Sequence, residues 1–205
     1  MRAATKQDKI LVERIIAESF KDNPNVNYML RPIAPKEKTI KRLADYAFDF
    51  AFKRNSLFIS SDGKGLIVCC QEPIQMDWQD YLNLGKLIIS ALNIRQLGNI
   101  LNRNAYINSI RPHDEKAIYI WCLALQDNGK TNRTAVEIKN FIFEKAKAAQ
   151  APIYVETALW KNKIAYERFG FKTYHYWESA SFRLKTWFLK KNASPFVLTE
   201  ANYMQ

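Results

Sequence analysis

Asn162 and Tyr166 stand four residues apart in Lys161–Phe171, which reads KNKIAYERFGF. On a helix that spacing points both side chains into the same space. A phenol with a reference pKa of about 10 stays protonated at neutral pH, so Tyr166 can donate a proton; the plainer alternative is a ring packed beside Phe169. Glu156, late in PIYVET, is the nearest carboxylate by sequence. Strand alternation sets it opposite Val155 and Thr157 and leaves its facing open, so it reads equally as a base or as a surface charge. Lys130–Ala135 opens a helix whose first N–H groups lack partners within it, and a phosphate would bind there. His113 and His175 are the only histidines, far apart and without a metal-binding companion set. No Ser-His-Asp arrangement and no Walker loop can be read.

The elements that must position these residues run from Ala117 to Phe171. AIYIWCLAL is apolar on both alternating faces: Ile118, Ile120, Cys122 and Ala124 on one, Tyr119, Trp121, Leu123 and Leu125 on the other. A strand covered on both sides reads this way. An amphipathic helix follows, then Pro152–Thr157, which one helix-length crossover places parallel to the first strand. A short helix ended by Gly170 completes a β-α-β-α unit.

Upstream, Met1–Ala4 reads as an edge strand, and Thr5-x-x-Asp8 as a helix start. Leu11, Val12, Ile15, Ile16 and Phe20 then form one helical face, stopped at Asp22-Asn-Pro. A second helix runs from after Pro35 to near Asn55. Asp62-Gly63-Lys64-Gly65 joins Leu57–Ser60 to Gly65–Gln71 as a hairpin. Two helices are expected between Pro73 and Asp114, with Trp78 and Tyr81 ahead of them; they either pack on the sheet or wall a pocket. After Phe171 two strand-like segments could close the sheet, and 192–205 reads as a tail.

A length of 205 residues fits one domain with a sizeable core, and no segment has the roughly 18 apolar residues of a membrane span. The three cysteines, with Cys69 and Cys70 adjacent, make neither a disulfide framework nor a chelate and read as buried thiols in a reducing cytoplasm. The net charge of +11 favours an anionic partner: nucleic acid, a membrane surface or a polyphosphate. The lysines are scattered rather than gathered, and nothing resembles a recognition helix or a base-stacking sheet, so nucleic acid rests on charge and aromatic content alone.

The order strand, loop, helix, strand, Asn-x-x-Ala-Tyr-x-x-x-Gly-Phe resembles the acyl-CoA-binding half of the GNAT superfamily of N-acyltransferases. Asn162–Phe171 fits the family's final helix and turn, and Phe141–Ala146 resembles the tail of its cofactor-binding helix. The resemblance implies a single α/β domain over 1–205, with a mixed, mostly antiparallel sheet, helices on both faces and a helical insertion at 74–114 before the central strand. It implies acetyl or acyl transfer from acyl-CoA to a primary amine of a small molecule or peptide, without a metal or membrane partner; a homodimer is compatible with it. Tyr166 would then be the general acid and Asn162 a cofactor contact. Leu123, Ala124 and Leu125 would bind the pantetheine arm, and Lys130, Thr131, Asn132, Arg133, Thr134 and Ala135 the phosphates. The family's loop reads Gln/Arg-Gly-x-Gly-x-Gly/Ala, whereas this chain lacks both leading glycines. Thr131 and Arg133 either replace them with side-chain donors beside Lys130 or block the loop. In the blocked case the chain is a binding protein on the same fold that has lost coenzyme A.

Overall fold

The computed structural model of the chain describes residues 1–32, 34–71, 74–111, 116–126, 132–179 and 184–193. Its centre is a seven-stranded sheet: β1 (Arg2–Ala3), β2 (Leu57–Ile59), β3 (Gly65–Gln71), β4 (Ile118–Leu125), β5 (Ile153–Thr157), β6 (Lys172–Ser179) and β7 (Leu184–Lys191), in the order β1-β2-β3-β4-β5-β7-β6. Among the described residues only β4 and β5 pair in parallel; the other neighbours are antiparallel. The crossover between them is α6 (Asn132–Ala149), as a parallel pair requires.

One face of β2, β3 and β4 is covered by α1 (Lys9–Phe20) and α3 (Lys36–Lys53). Val12, Ile15 and Ile16 of α1 are buried there at helical spacing, each contributing roughly 1.5–3 kcal/mol of transfer free energy. Thr5 and Asp8 form the expected capping box, which opens a single 3-10 turn before α1 begins. Pro24, read as a stop, also starts α2 (Pro24–Met29), where its missing N–H is no loss and Asn23 caps. The opposite face carries α6, whose Ile138, Ile142 and Ala146 pack on Ile67, Cys69, Ile118 and Ile120.

The 74–114 segment forms α4 (Trp78–Ala91) and α5 (Leu97–Ile110). Trp78 and Tyr81 lie inside α4 rather than ahead of it, because the helix starts at the capping box of Asp77 and Asp80. Leu87 and Ala91 seat α4 on Val26, Leu30 and Ile40. α5 covers the far half of the sheet, where Arg103 donates to Thr186 and Tyr106 is hydrogen-bonded to His175. The two last strands do close the sheet as a hairpin, with β7 inserted between β5 and β6.

Candidate active site

β4 is not the regular strand that its alternation suggests. Its register against β3 slips between Cys122, paired with Val68, and Ile120, paired with Cys69, which leaves Trp121 unmatched in a β-bulge. One extra residue reverses the facing of everything beyond it. Ile118 and Ile120 therefore point toward α6, whereas Cys122 and Ala124 join the α1 and α3 face, and Leu123 and Leu125 turn toward α6. The assignment of Ile118, Ile120, Cys122 and Ala124 to one face is thus corrected. Trp121 stays on the α3 side, its ring 5.1 Å from that of Phe50.

The bulge coincides with the end of parallel pairing. β4 and β5 are paired at Ile118–Ile153, Tyr119–Tyr154 and Ile120–Val155, and no further. Beyond that point β4 continues along β3 to Leu125, and β5 along β7 to Thr157. The sheet opens as a wedge whose edges are backbone. Leu123, Ala124 and Leu125 line its β4 side, and the Leu125 carbonyl accepts from the Ser19 hydroxyl at 2.7 Å.

Tyr166 enters from α7 (Trp160–Arg168). That helix ends in a Schellman turn: Gly170, at φ +84°, gives its N–H to the Glu167 carbonyl, and Phe171 gives its N–H to that of Tyr166. The accompanying apolar contact is edge-on, with the Tyr166 and Phe171 rings 5.3 Å apart. The sequence Tyr-x-x-x-Gly-Phe thereby locks the phenol's direction. Burial raises the Tyr166 pKa above its ordinary value, with a further push from Cys122, so the hydroxyl remains a proton donor throughout the neutral range. Asn162 is half-buried one turn earlier on α7.

Glu156 is the first β5 residue beyond the parallel pairing and stands on the face away from α6. Its carboxylate accepts from Arg111 Nε at 2.9 Å and Nη2 at 3.5 Å, and the same Nη2 donates to the Tyr119 hydroxyl at 2.7 Å. Burial opposes the Arg111 charge, but Tyr119 and Glu156 outweigh it and hold the guanidinium above its ordinary pKa. Glu156 is therefore an ion-paired group with unspent lone pairs, not a solvated surface charge. Sequence reasoning missed Arg103, Arg111 and Tyr119; polar residues on a predicted helix and strand carry no signal of which strand they will meet.

Of the phosphate-loop residues, Lys130, Thr131 and the Asn132 side chain lie outside the described residues, as does His113. Arg133 is exposed in the first turn of α6, and Ala135 is half-buried. The Thr134 side chain is buried, its hydroxyl donating to Asp62 at 2.6 Å. The hydroxyl proton of Thr134 is thus spent within the fold. Burial disfavours the Asp62 carboxylate, but hydrogen bonds from Ser60, Thr134 and the Lys64 N–H outweigh it and lower its pKa to about 2. Glu137, one turn on, accepts from the Met1 amino group at 2.5 Å and from Ser61. The start of α6 is thus tied to the β2–β3 hairpin.

The three cysteines are buried and unbridged, and burial lifts the Cys69 and Cys122 thiols to about 12. Among the described residues no group of three or more His, Cys, Asp or Glu side chains could hold a metal ion, and no helix is long and apolar enough to cross a membrane.

No protein-family profile matches the sequence, and a search among curated proteins finds no relative. Solved structures do match. One is described as histone acetyltransferase HPA2 and related acetyltransferase from Corynebacterium glutamicum: 16% identity, 96% of this chain and 97% of that one, TM-score 0.66. Arylalkylamine N-acetyltransferase 2 from Aedes aegypti superposes with TM-score 0.64 over 94% of this chain and 98% of its own, at 13% identity. A protein from Desulfovibrio desulfuricans described as an acetyltransferase of the GNAT family gives 0.53 at 12% identity, over 94% and 98%. At these identities the likeness is one of fold, and it spans nearly the whole of each chain. The fold of this protein is the GNAT N-acetyltransferase fold.

Proposed function

We propose that the protein transfers an acyl group, in the simplest case acetyl, from acyl-CoA to a primary amine. The observation that carries this reading is the parting of β4 and β5 at the Trp121 bulge; Tyr166, in the α6-face cluster with Leu123 and Val155, would serve it as the acid. A strand edge with unspent backbone groups suits an amide-bearing pantetheine arm along Leu123–Leu125. The exposed Arg133 guanidinium and the first N–H groups of α6 suit phosphates, with Lys130, Thr131, Asn132 and Ala135 completing that stretch. Asn162 supports the arm from α7.

In this reading the neutral amine nitrogen attacks the thioester carbonyl, a C–N bond forms and the C–S bond breaks. Tyr166 gives its proton to the departing sulfur, and the amine's surplus proton leaves on the opposite side toward Glu156, directly or through water. Amine-dependent release of free thiol from acetyl-CoA tests the reaction, and failure to release thiol across a broad amine panel contradicts it.

A second reading is a binding protein on the same fold that no longer takes coenzyme A. It is favoured by the absent glycines and by the Thr134 hydroxyl, which is already committed to Asp62. Direct titration with coenzyme A separates the two.

A further inference from the structure

Arg103, on the side of α5 that faces the sheet, carries a charge that nothing balances among the described residues. Its Nη2 donates to the Thr186 hydroxyl at 3.2 Å, its guanidinium stands 5.6 Å from the Trp177 ring, and its Nε is buried without a hydrogen-bond partner. The carboxylate that acts on it, Glu156, is already engaged by Arg111. Among the described residues, two guanidiniums against one carboxylate leave the cluster at net +1. Burial lowers the Arg103 pKa, and neighbouring Arg111 lowers it further, while Glu156 and Tyr119 only partly oppose this. A buried donor left unmade costs about 1–3 kcal/mol, and such groups in a folded protein call for a partner.

The position of this guanidinium narrows what the partner is. β5 pairs with β7 as far as Thr157–Trp187. Thr186 is one residue farther along β7, past the end of β5, so Arg103 is held at the open end of the wedge. It lies on the Glu156 face, away from α6 and from the phosphate-binding stretch. An anion arriving there belongs to the acceptor, not to the acyl donor.

We propose that the acceptor bears a carboxylate next to its primary amine, as a free amino acid does, and that the Arg103 guanidinium receives this carboxylate while Glu156 faces the ammonium. The planar fork of Arg103, with an unspent Nε–H beside an Nη2–H, matches the two oxygens of a carboxylate. This assignment rests on the acyl-transfer reading for its chemistry but not for its detection.

The test is an NMR titration of the arginine Nε–H resonances of the 15N-labelled wild-type protein, with and without coenzyme A. The probes are a panel of free L-amino acids and the matching amino-acid amides. The expected result is one Nε–H signal, missing in Arg103→Lys, that moves saturably with at least one free amino acid. Its amide, which keeps the amine and loses the negative charge, binds about tenfold or more weakly, a difference of about 1.4 kcal/mol or more. No moving Nε–H signal with any probe in either condition, or equal response to acids and amides, overturns the proposal. Should Arg103→Lys fold poorly, Thr186→Val, which removes the hydroxyl that Arg103 donates to, identifies the same Nε–H signal by its displacement in the ligand-free protein. Failure of thiol release with a positive titration would remove the transferase reading alone.

Discussion

Cys122 and Tyr166 belong to side-chain clusters on opposite faces of the sheet, Cys122 with α1 and α3 and Tyr166 with α6. Between those faces the pairing of β4 with β5 ends at Ile120–Val155. The separation coincides with one unmatched residue, Trp121, placed just beyond Ile120, the last paired position of the parallel strands. In the proposed reaction this arrangement would supply both the space for a thioester and the direction from which a proton reaches it.

Tyr166→Phe removes the hydroxyl and keeps the ring that packs on Phe171. Turnover is expected to fall by roughly 10²–10⁴-fold, with coenzyme A affinity changed less than threefold. Because burial raises the phenol's pKa, wild-type kcat should show no alkaline decline from this group up to about pH 10. Unchanged turnover in the variant would take Tyr166 out of the mechanism.

Glu156→Gln keeps a hydrogen-bond acceptor for Arg111 and removes the charge. If Glu156 takes the amine's proton, kcat falls by roughly 10²-fold or more. If it only positions Arg111, the loss stays below about tenfold and comes with lower thermal stability, because a half-buried guanidinium has lost its partner. The proposal is the first outcome; a loss below about tenfold assigns the base to water.

Gly65 marks a close approach of α6 to the sheet. A Cβ there would sit 2.6 Å from Thr134 Cγ2 and 2.8 Å from Leu125 Cδ2, and Thr134 is pinned by Asp62. Gly65→Ala should cost about 1–3 kcal/mol and lower Tm by roughly 3–10 °C. Coenzyme A affinity should fall too, as the start of α6 is pushed away from β3. A wild-type melting curve would show that α6 yields freely.

Asp80 ties the inserted helix α4 to α3, accepting from Arg54 Nη2 at 2.5 Å and Nη1 at 3.2 Å while buried. The Arg54 hydrogen bonds outweigh burial and lower its pKa to about 2. A carboxylate lowered in the folded state stabilises fully above about pH 4 and loses that contribution as pH falls through 2. Asp80→Asn should therefore cost about 2 kcal/mol at pH 7 and flatten the decline in Tm between pH 4 and 2. Asp62 leaves part of that slope in place; an unaltered slope would mean that Asp80 does not contribute to it.

Much of this arrangement is legible in the residues themselves. Period-3.6 faces around Val12 and Ile15, the turn at Asp62–Gly65 and the two apolar runs joined by one helix each arise from local chemistry and lead to the right elements. Tyr166 is legible for the same reason, since Gly170 and Phe171 fix its turn locally. The bulge is not, because an apolar strand with both faces covered looks the same with or without an extra residue. Arg103, Arg111 and Tyr119 converge only through the docking of α5, which brings together residues far apart in the chain. The committed Thr134 hydroxyl was hidden for a similar reason: its partner lies 72 residues away.

The central claim is that the wedge between β4 and β5 accepts an acyl-CoA. Calorimetric titration of the wild-type protein with acetyl-CoA tests it most directly. The account predicts saturable binding of one molecule per chain that weakens as salt is raised, since phosphates are held partly by Arg133. No heat at millimolar acetyl-CoA would contradict it.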